Sequence, residues 1–206
     1  MKKQQEYVYI CYTNSMTGRT HDLAAFTAIN VFLATSSIPH ITLGTAFVAF
    51  SANLIGGLTP DIDQPTGALW HKLPGGTLYS RLITPFLGGH RYISHSLLGI
   101  FLFGFLAKET LVISSHTLLV NQSLVWWSFM IAYISHLVMD TFTKEGVPWL
   151  FPIPIKFGIP PFALLRIKTG GFLETYGVFP LLLIVNGLLI YTHYPHYFSF
   201  FHSLIR

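Results

Sequence analysis

Five apolar stretches, each bordered on one side by histidine, aspartate or glutamate, constrain this 206-residue chain more than any other feature. They run roughly over 22–37, 41–58, 94–107 (extending to 114 if Lys108 and Glu109 are tolerated), 123–141 and 176–191. Crossing a bilayer as a helix takes about 20 apolar residues, within a range of about 17–25. The first and fifth stretches sit at the short end of that range. If the five helices alternate direction, His21, Asp61 with Asp63, His90 with His95, His136 with Asp140, and Glu174 all arrive at one membrane face. The expected fold is therefore all-α: a multi-pass membrane helical bundle of about five transmembrane helices, forming a single domain over residues 1–206.

Charge content supports lipid as the solvent. Only 10% of residues are charged and 51% are hydrophobic, against about 25% charged in a typical soluble domain. The net charge of +4 and pI of about 9.2 suit loops facing an anionic membrane surface better than nucleic acid. Cys11 is the single cysteine, which excludes an intramolecular disulfide and any multi-cysteine zinc site. Residues 4–18 are too polar for the apolar core of a signal peptide. On the side that carries the acidic and histidine groups lie Lys2, Lys3, Arg19, Lys72, Arg81, Arg91, Lys144, Lys156, Arg166 and Lys168; the other side has Lys108 and Arg206. Positive loops stay in the cytoplasm, so the N-terminus and the ligand groups are expected there, and the C-terminus outside.

Imidazole and carboxylate together are what a zinc-like ion takes as ligands. His136 and Asp140, four apart in a helical stretch, share a face one turn apart. Asp140 also lies within an apolar segment, where an ionisable group is costly and usually functional. Asp61 and Asp63 follow Pro60, and alternation in an extended loop would point them the same way. Ser94 reads as the N-cap of the third segment, with His95 in its first turn, His90 just before it, and Arg91 between them to face an anionic substrate group. His21 opens the first segment. Glu174 opens the fifth, as a helix-end charge or as a partner for a ligand. His40, His116, His193, His196 and His202 fall toward the opposite side without carboxylate partners, and His71 has no ligand-like spacing. The expected metal set is His21, Asp61, Asp63, His90, His95, His136 and Asp140. Asp61, Glu174 and Arg91 are the candidate catalytic residues, and Arg91, Lys144 and Lys168 the candidate substrate-binding residues. So many N and O donors exceed what one catalytic zinc takes, so one or two divalent ions are expected, zinc first, with manganese or magnesium as alternatives. Two long loops rich in Gly and Pro lie on the same side. Trp149, Phe151 and Phe157 within the second suggest a segment resting on headgroups.

In the order Thr20-His21, Leu58-Thr59-Pro60-Asp61-Ile62-Asp63, His90-Arg91 with Ser94-His95-Ser96, and Ser135-His136-Leu137-Val138-Met139-Asp140, the chain resembles the LexA-regulated, membrane-bound metal-dependent hydrolases of bacterial inner membranes. Lys144-Glu145-Gly146-Val147-Pro148, Phe151-Pro152 and Arg166-Ile167-Lys168-Thr169-Gly170 extend the likeness. It implies a multi-pass inner-membrane protein, metal-dependent hydrolysis and a link to the DNA-damage response. Tyr92-Ile93 and Leu69-Trp70-His71-Lys72 depart from the family's pattern without touching a proposed ligand. The His/Asp pattern also loosely resembles zinc-dependent phospholipase C in ligand types.

The leading expectation is hydrolysis of a membrane-lipid phosphoester at the cytoplasmic face. The alternatives are a divalent-metal transporter and a membrane scaffold with a structural metal. Transport sites lie near the bilayer midplane, whereas these groups gather at one end of the helices. No His-Glu-x-x-His or Gly-x-Ser-Gly motif supports a protease.

Overall fold

The computed structural model describes residues 16–36, 41–65, 67, 70, 74–87, 91–153 and 155–204. Among them the regular structure is helical, with two isolated bridges, Thr143 to Ile167 and Val147 to Phe157, in place of strands. The main helices are α1 (Met16–Thr35), α2 (Leu43–Leu58), α3 (Gly76–Ile83), α4 (Leu97–Ile113), α5 (Gln122–Thr141), α6 (Phe179–Thr192) and α7 (Tyr194–Leu204). A short 3-10 turn, Pro60–Asp63, follows α2, and a π turn, Glu174–Val178, leads into α6.

Side-chain caps start three of these helices. Thr42 accepts from Thr45 N–H, Asn121 from Leu124 N–H, and Ser96 from Gly99 N–H. Each satisfies a donor that has no partner within its helix. The N-cap of α4 is thus Ser96, two residues later than Ser94, the expected one. Ser94 Oγ is drawn instead to a buried carboxylate.

Cross-helix contacts fix the directions. Asn121 N–H donates to Thr45 Oγ1, Asn53 Nδ2 to the Ser128 carbonyl, and His136 Nδ1 to the Gly57 carbonyl. Both partners advance together, so α2 and α5 run parallel. α4 runs against α5, since Trp126 donates to the Gly104 carbonyl while Tyr133 donates to Ser94 O. α1 and α6 are joined by Asn30 Nδ2 to Asn186 Oδ1 and by Asn186 Nδ2 to Thr27 Oγ1. α2 and α5 approach closely because Gly56 has no side chain: a Cβ there would stand 2.3 Å from the Phe129 carbonyl oxygen. Small residues at such crossings are how helices pack in lipid, where burial of apolar area gives no net drive.

Among the described residues two helical runs, Leu97–His116 and Glu174–Thr192, are by themselves long and apolar enough to cross a membrane. α2 is apolar but has 16 residues. α1 and α5 have 20 each, yet they devote positions to His21, Asn30, Ser128, His136 and Asp140, all buried inside the bundle. Inward polar residues lower the average without exposing a polar face. Outward, large apolar side chains are bare, including Phe47 on α2, Phe101 on α4 and Leu188 on α6, as expected of a surface meant for lipid. α7, which the periodicity did not indicate, folds back so that Tyr197 donates to Asn30.

Candidate metal centre

Alternating helices bring one end of the bundle together around Asp140. His21 lies in the second turn of α1, Asp61 in the 3-10 turn after α2, His95 just before α4, and His136 with Asp140 in the last two turns of α5. His95, His136 and Asp140 are essentially inaccessible and His21 is 6% exposed.

Donor atoms of Asp61, His95 and His136 lie within 4.8 Å of one another, as do those of His21, His136 and Asp140, so the two groups share His136. His95 Nε2 lies 3.2 Å from Asp140 Oδ2 and 4.0 Å from Asp61 Oδ1. His136 Nε2 lies 3.7 Å from Asp140 Oδ2 and 3.6 Å from Asp61 Oδ1. Donors held about 2.0–2.2 Å from a tetrahedral zinc stand ~3.3–3.6 Å from one another, so this spacing already suits a cation. His21 stacks on His136, ring centroids 3.9 Å apart and planes 11° apart, with its Nε2 3.4 Å from Asp140 Oδ1.

Proton placement sharpens the picture. A carbonyl only accepts, so at 2.7 Å from Gly57 O the Nδ1 of His136 carries hydrogen, and in the neutral ring Nε2 then bears the lone pair. That Nε2 and Asp140 Oδ2 are both buried without a hydrogen-bond partner. Two acceptors side by side without a donor repel, and a buried polar atom left unpaired is costly. A divalent cation between them removes both penalties.

Asp63 differs from the expectation that it ligates beside Asp61. In a 3-10 turn with three residues per revolution, positions i and i+2 diverge, whereas in an extended loop they would align. Asp63 Oδ2 accepts from the Arg91 backbone N–H at 2.8 Å and from Ser94 Oγ at 2.5 Å, and lies 3.3 Å from His95 Nδ1. It orients the histidine from behind, as carboxylates commonly do for metal-binding imidazoles.

Arg91 also differs from its expected place at the substrate. It is 5% exposed. Its NH2 donates to Asp140 Oδ1 at 2.8 Å and its NH1 to Thr143 Oγ1 and the Gly146 carbonyl, with Nε 3.5 Å from Glu145. The residue has φ of 62°, a left-handed conformation costing a non-glycine of order 1–3 kcal/mol, which persists only when the surroundings over-determine it. Here both its backbone and its side chain are pinned to carboxylates of the cluster. Gly146, at φ 66°, could take no side chain, since a Cβ would stand 2.4 Å from the Phe157 carbonyl oxygen.

Glu174 is buried and adjoins the cluster rather than joining it. Its Oε2 accepts from Gly170 N–H at 2.7 Å. A cavity of ≈ 20 Å³ lies between His21, Thr143 and Glu174, room for a single water and too small for a headgroup. Lys144 and Lys168 are exposed and flank the Thr143–Ile167 bridge. His90 lies outside the described residues. The Gly57 carbonyl, Thr143 and Tyr133 complete the support, and no local signal in the chain announces them: each acts through a partner at least 39 positions away.

A helical bundle with bare apolar flanks and one buried His/Asp cluster at the helix ends defines a membrane protein with a candidate metal centre. The chain belongs to the YdjM inner membrane protein family, which it matches over residues 16–198. It is 26% identical over 185 residues to a Bacillus subtilis (strain 168) protein named uncharacterized protein YvsG, covering 90% of this chain and 97% of that one. It is 29% identical over 162 residues to inner membrane protein YdjM of Escherichia coli (strain K12), covering 78% of this chain and 76% of the relative. No solved structure matches it.

Proposed function

We propose that this protein is a membrane-bound, metal-dependent hydrolase acting on a lipid phosphoester at the face where the His/Asp cluster lies. The observation that carries the reading is the pair of buried acceptors, His136 Nε2 and Asp140 Oδ2, which lack hydrogen-bond partners of their own where the groups His21/His136/Asp140 and Asp61/His95/His136 meet at His136. Asp61, His95, His136 and Asp140 would hold one divalent ion, zinc first by ligand type, with His21 as a further donor to the same centre. Bound there, the ion would supply Lewis acidity toward a phosphoryl oxygen and toward water.

The chain's own groups divide the remaining work. Asp61, with 23% of its side chain exposed, is the carboxylate of the set that solvent and substrate reach, so it takes the proton-accepting role. Arg91 holds Asp140 in place and Asp63 holds His95. Lys144 and Lys168, exposed at the edge of the cluster, are left to attract the phosphate. Five crossings, a cytoplasmic N-terminus and control of the gene by DNA damage, which rests on the family resemblance, belong to the same proposal.

A scaffold with a structural metal is the second reading, favoured by the four protein donors, enough to close a tetrahedral site. Two measurements on protein purified in mild detergent separate the readings: metal content, then release of headgroup from a panel of phospholipids. Stoichiometric zinc with metal-dependent release supports the hydrolase. Stoichiometric zinc with every lipid left intact supports the scaffold. Absence of bound metal under all loading conditions overturns both.

A further inference from the structure

The segment that joins α5 to α6 is built as a rigid platform, not a slack linker. Val147 and Phe157 exchange backbone hydrogen bonds at 2.8 Å each way, Ile159 N–H donates to the Thr141 carbonyl, and Lys144 and Ile167 are tied across the bridge. Arg166 locks the far turn through the Pro160 and Pro161 carbonyls. Side chains are sorted across this platform. Val147 and Pro148 are buried, and Trp149 packs inward with its indole N–H on Thr141 Oγ1. Leu150, Ile153, Ile155, Phe162, Leu164 and Leu165 point away, Leu164 being 86% exposed and Phe162 71%. Trp149, picked out from the sequence as resting on headgroups, is therefore an internal anchor, and the aliphatic residues form the outer face.

We infer that this outer face lies in the headgroup boundary of the leaflet on the side of the His/Asp cluster, as an in-plane membrane anchor. Three observations favour lipid over another protein as the occupant. The apolar face is continuous with surfaces already committed to lipid: Ile134 and Val138 on α5 and Phe142 at its C-cap are exposed at four-residue spacing up to the platform's start, and Phe172, Leu173 and Tyr176 lead from its end into the candidate span Glu174–Thr192. Its charge complements an anionic surface, with Lys144, Lys156, Arg166 and Lys168 against Glu145. Its backbone suits the interface and not the hydrocarbon, where irregular chain exposed to lipid does not occur; Pro148, Pro152, Pro154, Pro160 and Pro161 remove five N–H groups that would otherwise seek water.

The experiment uses the full chain in nanodiscs containing anionic lipid, with Cys11 replaced by serine and a fluorophore at Leu164→Cys or Ile153→Cys. Both positions are exposed, so labelling leaves the packing intact. The expected result is strong quenching by lipids spin-labelled near the headgroup, together with loss of quenching by aqueous iodide relative to a probe at Thr117→Cys, which is exposed just past the end of the span Leu97–His116. Quenching by iodide alone overturns the inference. So does protection from iodide without lipid quenching, whether it varies with the number of copies per disc (a second copy covers the face) or does not (another part of the chain covers it).

Discussion

His136 donates Nδ1–H to the Gly57 carbonyl at 2.7 Å, and this one bond decides which nitrogen of the ring faces Asp61 and Asp140. A glycine carbonyl near the end of one helix thereby sets the tautomer of a histidine on another. His136→Gln keeps polarity and approximate size but removes the imidazole. The expected outcome is loss of stoichiometric metal with normal membrane insertion, read by elemental analysis of the purified protein. Retention of one ion per chain would remove His136 from the centre.

Asp61 faces His95 Nε2 and His136 Nε2, whereas Asp63 stands behind His95 at its Nδ1. Asp63→Asn should weaken metal binding by about 10–100-fold, the usual cost of losing a residue that holds a ligand, since His95 loses its carboxylate partner. Asp61→Asn should cost more, because a donor atom itself is replaced. Competition with a chelator of known affinity ranks the two, and the reverse order would overturn the division.

Arg91→Ala leaves Asp140 buried without its charged donor. Breaking a buried pair on one side costs about 3–5 kcal/mol, so the variant should unfold at markedly lower temperature in detergent and bind metal poorly. Arg91→Lys should recover only part of the loss, since one ammonium cannot reach Asp140, Thr143 and Gly146 together. If Arg91→Ala is as stable as the parent, the guanidinium is not holding the carboxylate.

Gly56→Ala tests the helix contact that places the Gly57 carbonyl. With its Cβ 2.3 Å from the Phe129 carbonyl oxygen, backbone must move, and overpacking of this kind costs about 1–3 kcal/mol. Gly187→Ala is the control, having nothing within 4 Å. Thermal unfolding should drop for the first and stay level for the second.

A topology measurement tests the bundle in its membrane. A periplasm-active reporter after Arg206 should be active and one at the N-terminus silent, because lysine and arginine gather on the cluster's side. The opposite pattern would place the centre outside the cell.

Helices were largely legible in the chain, because a 3.6-residue period and long apolar runs report local physics. His136 and Asp140 could be paired on spacing alone. The count of crossings was less legible: α1 and α5 spend buried positions on Asn30, Ser128 and Asp140, so their apolar average understates how they pack. Asp61 and Asp63 were misaligned because Pro60 begins a 3-10 turn in place of an extended strand, and two residues of such a turn diverge.

By itself, the order of residues determined an all-helical, lipid-facing chain with histidines and carboxylates at the helix ends, since composition and periodicity act over a few turns. Only the tertiary structure decided which of those groups face one another in the cluster and which stand behind them. That division depends on hydrogen bonds between residues far apart in sequence: Asp63 to Arg91, Arg91 to Asp140, His136 to Gly57. A side chain's role in a buried polar cluster is set by the partner that satisfies its other atoms, and that partner is chosen by packing, which no local pattern encodes.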